Sequence, residues 1–214
     1  MDLIERKKKL LMAQDQFVPP GFTVYDYIQA QGDRAVIDTG VSGNNDNLKF
    51  HMLFNVDRYI QYRGLFTNYS SEKANCWRLS ESATNNSFLF ATNTKTGSSG
   101  TKIVGSYVGK NVEAFIDKTS VSFFVDGTEY TSASPTTAGT SNSNNIFINS
   151  SRTYAQTRDD VIKWYFFKIW DNGKLIRNYV PVKRKSDNKC GFYDTVNHTF
   201  NPSIGSVDFV AGND

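Results

Sequence analysis

The stretch KWYFFKIWDNGKLIRNYVP, residues Lys163–Pro181, predicts a long β-hairpin. Apolar and aromatic residues fill almost every position up to Trp170, and a strand would alternate them between its two faces. Asn172-Gly173 favours a type I′ turn, because both central positions of that turn need a positive φ. We therefore expect a central hairpin with further strands packed around it. The predicted faces are Tyr165, Phe167 and Ile169 on one side, and Trp164, Phe166, Lys168 and Trp170 on the other.

Length and composition indicate one large β domain or two small ones, and all-β sandwiches often reach this length as a single domain. The chain has 214 residues, of which 14% are aromatic, and a compact domain of this size buries about 70% of its unfolded surface. The net charge of +3 is too small to indicate nucleic-acid binding. No run of about 18 apolar residues predicts a membrane span. Cys76 and Cys190 either pair or remain two free thiols.

Residues 1–16, MDLIERKKKLLMAQDQ, differ from the rest and predict a short helix. Their charges interrupt the apolar core that a secretory signal needs, so we expect no such signal. An isolated helix of this length is marginal in water. It therefore docks on its own domain, or it inserts into a neighbouring subunit as an assembly contact. The candidate contact residues are Leu3, Ile4, Lys7, Leu10 and Leu11.

The remaining chain, residues 17–214, predicts short strands separated by polar turns. Pro19-Pro20-Gly21 ends the helix and begins the domain. Asp126-Gly127 predicts a second hairpin turn, between Ser120–Val125 and Thr128–Thr131. Many short strands at this spacing are typical of a β-sandwich.

Three segments together resemble a known family. They are YDYIQAQG with the later IDTG (Tyr25–Gly32 and Ile37–Gly40), the hairpin with its continuation to Arg184, and GFYDTVNHTFNPSIGSVDFVAG (Gly191–Gly212). They are similar to motifs of the concanavalin A-like (LamG-like) jelly-roll domains found in surface proteins of gut bacteria and in phage structural proteins. The resemblance covers residues 22–212. It implies an antiparallel jelly-roll β-sandwich, here with a short N-terminal helix added.

Catalytic and metal-binding patterns are absent from the sequence. Glycosidases need two carboxylic acids on one face of the site, whereas the glutamates here are isolated from one another. No Gly-x-Ser-x-Gly motif marks a nucleophile, and no His/Cys cluster or calcium-loop motif predicts a metal ion or cofactor. Asp38, Asp46 and Asn47 are weak calcium candidates, because acids in turns are usually turn residues. We expect a protein that is not an enzyme.

Glycan binding is the better hypothesis for a site. Sugar sites combine aromatic rings with amides or charged groups that hold hydroxyls. For each candidate aromatic, the alternative is a place in the core or at its rim. The candidate residues are Tyr69, Trp77, Arg152 and Tyr154.

Two functions remain open at this point. The resemblance to phage proteins, the missing signal and the N-terminal helix favour a virion structural protein: a capsid-decorating, fibre or tail component on the virion surface, made in the host cytoplasm. Its partners would be other virion proteins, bound through the helix, and surface polysaccharide, with no nucleic acid or membrane; homo-oligomerisation is left open. The alternative is a bacterial carbohydrate-binding module or adhesin domain.

Overall fold

Strands make up all the regular structure in the described part of the computed structural model. That part comprises residues 18–31, 35–60, 63–68, 77–81, 87–92, 101–104, 106–131, 143–150 and 161–214. The predicted N-terminal helix lies outside these residues. The strands are β1 (Phe22–Val24), β2 (Tyr27–Gln31), β3 (Ile37–Ser42), β4 (Leu48–Val56), β5 (Gly64–Thr67), β6 (Trp77–Glu81), β7 (Ser87–Thr92), β8 (Thr101–Val104), β9 (Asn111–Ile116), β10 (Val121–Val125), β11 (Thr128–Thr131), β12 (Asn145–Ile148), β13 (Val161–Asp171), β14 (Lys174–Arg184), β15 (Cys190–Asp194), β16 (Thr199–Pro202) and β17 (Val210–Gly212).

The strands form two antiparallel sheets. Over the described ranges, the large sheet is 11-stranded and runs in the order β11-β10-β9-β4-β13-β14-β15-β16, with β1 paired to β14 and β2 paired to both β13 and β17. The small sheet, counted over the same ranges, is 6-stranded and runs β3-β12-β5-β6-β7-β8. The antiparallel jelly-roll β-sandwich expected from the sequence is confirmed, and β13 lies at the middle of the large sheet.

Aromatic side chains fill the space between the sheets. The Phe50 ring of β4 lies 4.8 Å from Phe66 and 5.0 Å from Trp77, which belong to the small sheet. It also lies 6.0 Å from the Phe167 ring on the neighbouring strand. These tilted and edge-on contacts are the geometries that aromatic pairs prefer. Cys190 is a buried free thiol, and Cys76 lies outside the described residues.

Both predicted hairpin turns are present. Asn172 and Gly173 have φ angles of 48° and 79°, and Asp126 and Gly127 have φ angles of 47° and 81°. Positive φ at two successive positions is the signature of the type I′ turn, whose twist matches that of the flanking strands.

Replacing Gly173 with alanine should lower the free energy of unfolding by about 1 kcal/mol, because an L-residue with a Cβ is strained in the left-handed region. The space around a Cβ at this position is open, so strain and not a clash is responsible. Gly21→Ala is the matched control, since its Cβ also meets nothing within 4 Å and its φ is not positive. Chemical denaturation of both variants measures the difference, and equal losses would contradict the explanation.

The face alternation predicted for β13 is wrong at one point. Trp164 pairs with Phe54, but the next pair is Phe166 with Leu53, so Tyr165 is an extra residue in a β-bulge. Trp164 and Phe167 both join the main core, whereas Tyr165 and Phe166 pack with Leu53 on the outer face. Strict alternation along a sequence does not reveal a bulge, because the extra residue depends on the register of the partner strand.

The family-like motifs meet at one structural point, which we call the motif clasp (Thr39, Arg177, Tyr179 and Asp194). Arg177 Nε donates to the carbonyl oxygen of Thr39 at 3.0 Å, and the Tyr179 hydroxyl donates to the same oxygen at 3.3 Å. Arg177 Nε also lies 3.5 Å from Asp194 Oδ2. Because Thr39 belongs to the small sheet and the other three residues to the large one, the clasp fastens the sandwich along this side.

The Asp194 carboxylate also organises the turn that follows β15. Its Oδ1 accepts hydrogen bonds from the backbone N–H groups of Asn178 and Val196, at 3.1 and 3.0 Å. Its Oδ2 accepts a hydrogen bond of 2.7 Å from Asn197 Nδ2. The sequence YDTVN therefore has a structural role: its carboxylate, which is 1% exposed, satisfies donors that the turn would otherwise bury.

Candidate functional site

Rings from three adjacent strands are stacked on the outer face of the large sheet, the face directed away from the small sheet. His51 of β4 pairs with Phe115 of β9, and their ring centroids are 4.0 Å apart with 16° between the planes. The Trp170 ring of β13 lies 6.3 Å from His51, at 24°. His51 lies on this face because its neighbours Phe50 and Met52 point into the core. We call Phe115, His51 and Trp170 the ring stack.

Polar groups lie directly beside the ring stack. His51 Nε2 is 2.7 Å from Glu113 Oε1, and the Glu113 side chain is 7% exposed. Lys168 is the cross-strand neighbour of His51, and its Nζ lies 5.3 Å from the centroid of the Phe166 ring. Burial lowers the pKa of the Lys168 ammonium, and the Glu113 carboxylate opposes that shift. Hydrogen-bonding groups of both charges therefore border the aromatic rings.

The ring stack is accessible at its ends. Phe115 is 36% exposed, a high value for a large apolar side chain, and Trp170 is half-buried. The Phe124 ring meets Phe115 edge-on, with centroids 5.9 Å apart, and extends the aromatic surface to β10. Aromatic rings on an open sheet face next to hydrogen-bonding groups can bind a ligand that has both apolar and hydroxyl-bearing surfaces.

The proposal that Trp77 contacts a glycan is corrected by the structure. Its side chain is 0% exposed. The ring packs against Phe50, and its Nε1 donates to the carbonyl oxygen of Asn45 at 3.3 Å. Trp77 is therefore a core residue, which is the alternative that the sequence left open. The other candidates lie outside the described residues; these are Tyr69, Arg152 and Tyr154, and the N-terminal Leu3, Ile4, Lys7, Leu10 and Leu11.

The sequence contained part of the signal for the ring stack. The alternation in Leu48–Val56 separates His51 from the core residues, and the hairpin pattern correctly puts Trp170 and Lys168 on one face. The neighbour that completes the stack, Phe115, belongs to β9 and lies more than 60 residues after His51 in the sequence. No local pattern predicts that pairing.

A second polar cluster is buried beside β5 and β6, two interior strands of the small sheet. Arg63 Nε lies 2.6 Å from Glu81 Oε2, and the Tyr107 hydroxyl donates to Glu81 Oε1 at 2.5 Å. The backbone N–H of Ile60 donates to Glu81 Oε2 at 3.1 Å. The Arg63 and Glu81 side chains are 1% and 0% exposed. This cluster is inaccessible to a large ligand, and its role is to hold the segment before β5 against β6.

The acids considered for calcium have protein partners. Asp38 accepts hydrogen bonds from the backbone N–H of Gly40 and from Asn145 Nδ2, and Asp46 is ion-paired with Lys118. Within the described residues, no group of three or more His, Cys, Asp or Glu side chains is placed to hold a metal ion. A helix able to cross a membrane is likewise not found among the residues that the structure describes.

Comparisons with known proteins give a structural resemblance that assigns neither a family nor a ligand. No protein-family model matches the chain, and no curated protein matches it. Domains LG4-5 of the mouse laminin alpha1 chain are a similar solved structure, with 16% sequence identity and a TM-score of 0.38. The match covers 72% of this chain and 42% of that one. At this level the match assigns no ligand, so the site must be interpreted from its own geometry, on an antiparallel β-sandwich.

Proposed function

We propose that this chain is a non-catalytic, lectin-like domain that binds carbohydrate through the ring stack. The observation that carries the proposal is the stack itself, in which Phe115 and Trp170 flank His51 on an open sheet face. Sugars present C–H groups on one side of the ring and hydroxyls around its edge. Aromatic faces pack against the C–H groups, and the Glu113 carboxylate and Lys168 ammonium can form hydrogen bonds with the hydroxyls.

The surroundings of Glu113 and Glu81 support binding and not hydrolysis, because both carboxylates already have protein partners. Glu113 is held by His51 at 2.7 Å, and Glu81 is held by Arg63 and Tyr107 inside the protein. Glycosidases place two carboxyl groups on opposite sides of one scissile bond. In a binding site, a carboxylate beside stacked rings can accept a hydrogen bond from a sugar hydroxyl.

Phe115→Ala and Trp170→Ala should each weaken glycan binding about fivefold, because one aromatic contact contributes about 1 kcal/mol. A glycan array with the whole chain identifies the ligand, and calorimetry then measures the affinities. Phe200→Ala is the matched control, since this aromatic lies on the outer face but packs with Phe22, away from the stack. A chain that binds no glycan, or two stack variants that bind like the unmodified chain, would overturn the proposal.

The assembly that displays the domain is proposed to be a phage particle, with residues 1–16 as its attachment to other virion proteins. Support comes from the sequence resemblance and from the position of Val18, which packs with Val180 and Val182 on the outer face of β14. Val18, where the described part of the chain begins, therefore lies on an outer sheet face rather than in the core. A bacterial carbohydrate-binding module or adhesin remains the alternative, with the same ring stack.

Removal of residues 1–16 should convert an oligomeric or aggregating chain into a monomer. The measurement is the solution mass of the full chain beside a version that begins at Phe17. An apolar helical stripe without a partner would drive self-association, and removing the stripe would abolish that self-association. Two well-behaved monomers would contradict the attachment role and leave the glycan-binding proposal unaffected.

A further inference from the structure

A cleft of about 480 Å³ opens at one end of the large sheet, beside the ring stack. It lies between three turns: the one before β4, the one between β9 and β10, and the type I′ turn between β13 and β14. Ligand sites for small molecules commonly have volumes of about 300–1,000 Å³. Its polar lining includes Asn47, Lys49, Asp117, Lys118, Thr119 and Asn172.

The cleft and the ring stack share a border. Lys49 lines the cleft and is the cross-strand partner of Trp170, so the two side chains are neighbours on the same face. Asp117 also lines the cleft and lies two residues beyond Phe115 along the chain. The end of the ring stack at Trp170 therefore adjoins the cleft.

The charges around the cleft are balanced. Lys49 Nζ lies 3.7 Å from Asp117 Oδ2, and Lys118 is ion-paired with Asp46. Asp117 Oδ1 also accepts hydrogen bonds from the backbone N–H and the hydroxyl of Thr119, at 2.8 and 2.9 Å. Each lysine already has a carboxylate partner, so an anionic ligand would have to compete for it. Neutral hydroxyl groups can join these pairs as donors and acceptors at once.

Building on the proposed carbohydrate binding, we propose that the ring stack and the cleft form one extended site for a neutral glycan chain. The aromatic rings of the stack pack against the faces of some sugar units. Lys118 and Asn172 in the cleft donate hydrogen bonds to the next sugar units of the same glycan chain. The ligand is therefore a polysaccharide segment rather than a single terminal sugar.

Titration of the whole chain with oligosaccharides of two lengths tests this proposal. The probes are disaccharides and hexasaccharides of neutral β-glucan, α-glucan and chitin, with hexagalacturonate as the anionic probe. One neutral hexasaccharide should bind at least tenfold more tightly than its disaccharide. Lys118→Ala and Asn172→Gly should each weaken hexasaccharide binding about fivefold and leave disaccharide binding unchanged; the glycine keeps the positive φ of the turn.

Lys110→Ala is the matched control, because this exposed turn lysine precedes β9 and lies at the opposite end of that strand from Lys118. It should bind both lengths like the unmodified chain. Three results would each overturn the extended site but not the carbohydrate function. They are equal affinity for the two oligosaccharide lengths, hexasaccharide binding that is unaffected in the cleft variants, and tighter binding of hexagalacturonate than of the neutral hexasaccharides. No binding by any probe would overturn the carbohydrate function as well, and Phe115→Ala distinguishes the two failures because it should weaken both lengths.

Discussion

Arg63→Met should lower the free energy of unfolding by about 3–5 kcal/mol, because it leaves the buried Glu81 carboxylate without its cation. The two side chains are almost fully buried, with Arg63 Nε 2.6 Å from Glu81 Oε2. Methionine occupies a similar volume, so the loss reflects charge rather than packing. Urea denaturation at neutral pH, followed by tryptophan fluorescence, measures the change.

The pH dependence of this variant separates charge from shape. Burial raises the pKa of Glu81 above its usual 4.5, and the nearby Arg63 charge is the largest effect that opposes the rise. Without Arg63 the folded-state pKa rises further, so the protonated form stabilises the variant. That stability is fully present below about pH 4.5 and is lost as the pH rises through the folded-state pKa. The cost of Arg63→Met should therefore be smallest in acid and grow towards neutral pH.

A double variant provides the control. Arg63→Met combined with Glu81→Gln removes both charges, and it should recover part of the stability lost in the single variant. The amide can still accept a hydrogen bond from the Tyr107 hydroxyl, which now bonds to Glu81 at 2.5 Å. A double variant as unstable as Arg63→Met at every pH would show that the guanidinium acts through packing.

Trp77→Ala should also cost about 3–5 kcal/mol of unfolding free energy, the usual range for removing a buried aromatic side chain. The Trp77 side chain is 0% exposed and contacts both Phe50 and Phe90 in the core. Its removal leaves a cavity between the sheets, beside Phe50 and Phe90. Denaturation measures the loss, and glycan affinity of the fraction that remains folded should be unchanged.

Trp170→Ala is the matched comparison, because it removes the same side chain from the half-buried outer face. It should cost about 1 kcal/mol of stability or less and should weaken glycan binding. The assigned roles would be contradicted if Trp170→Ala lost much stability but bound glycan normally. They would also be contradicted if Trp77→Ala remained folded but no longer bound glycan.

The sequence predicted the framework well, because the framework depends on local rules. The two type I′ turns follow from Asn172-Gly173 and Asp126-Gly127, and β11 begins and ends at the predicted residues Thr128 and Thr131. The sandwich follows from many such strands. Local rules failed at Tyr165, where the register of β4 inserts a bulge.

The candidate site was harder to predict because its residues are brought together by strand pairing. His51, Phe115 and Trp170 come from three strands, and their proximity depends on the order β9-β4-β13. Trp77 was placed in a short strand beside Arg78, and the sequence left open which face its ring occupies; β6 turns that ring into the core. An aromatic side chain in an isolated short strand gives no information about which face is covered.

Domains that share the motif clasp are expected to be recognisable by sequence whatever ligand they have. Arg177, Asp194 and Thr39 fasten one sheet to the other, and none of them belongs to the ring stack. Substitution at the clasp would threaten folding, whereas substitution at Phe115 or Trp170 would mainly change what is bound. A search built on the clasp motifs would therefore group proteins by how their sandwich is closed. Grouping the same proteins by ligand would instead require comparing the residues on the outer face of β4, β9 and β13.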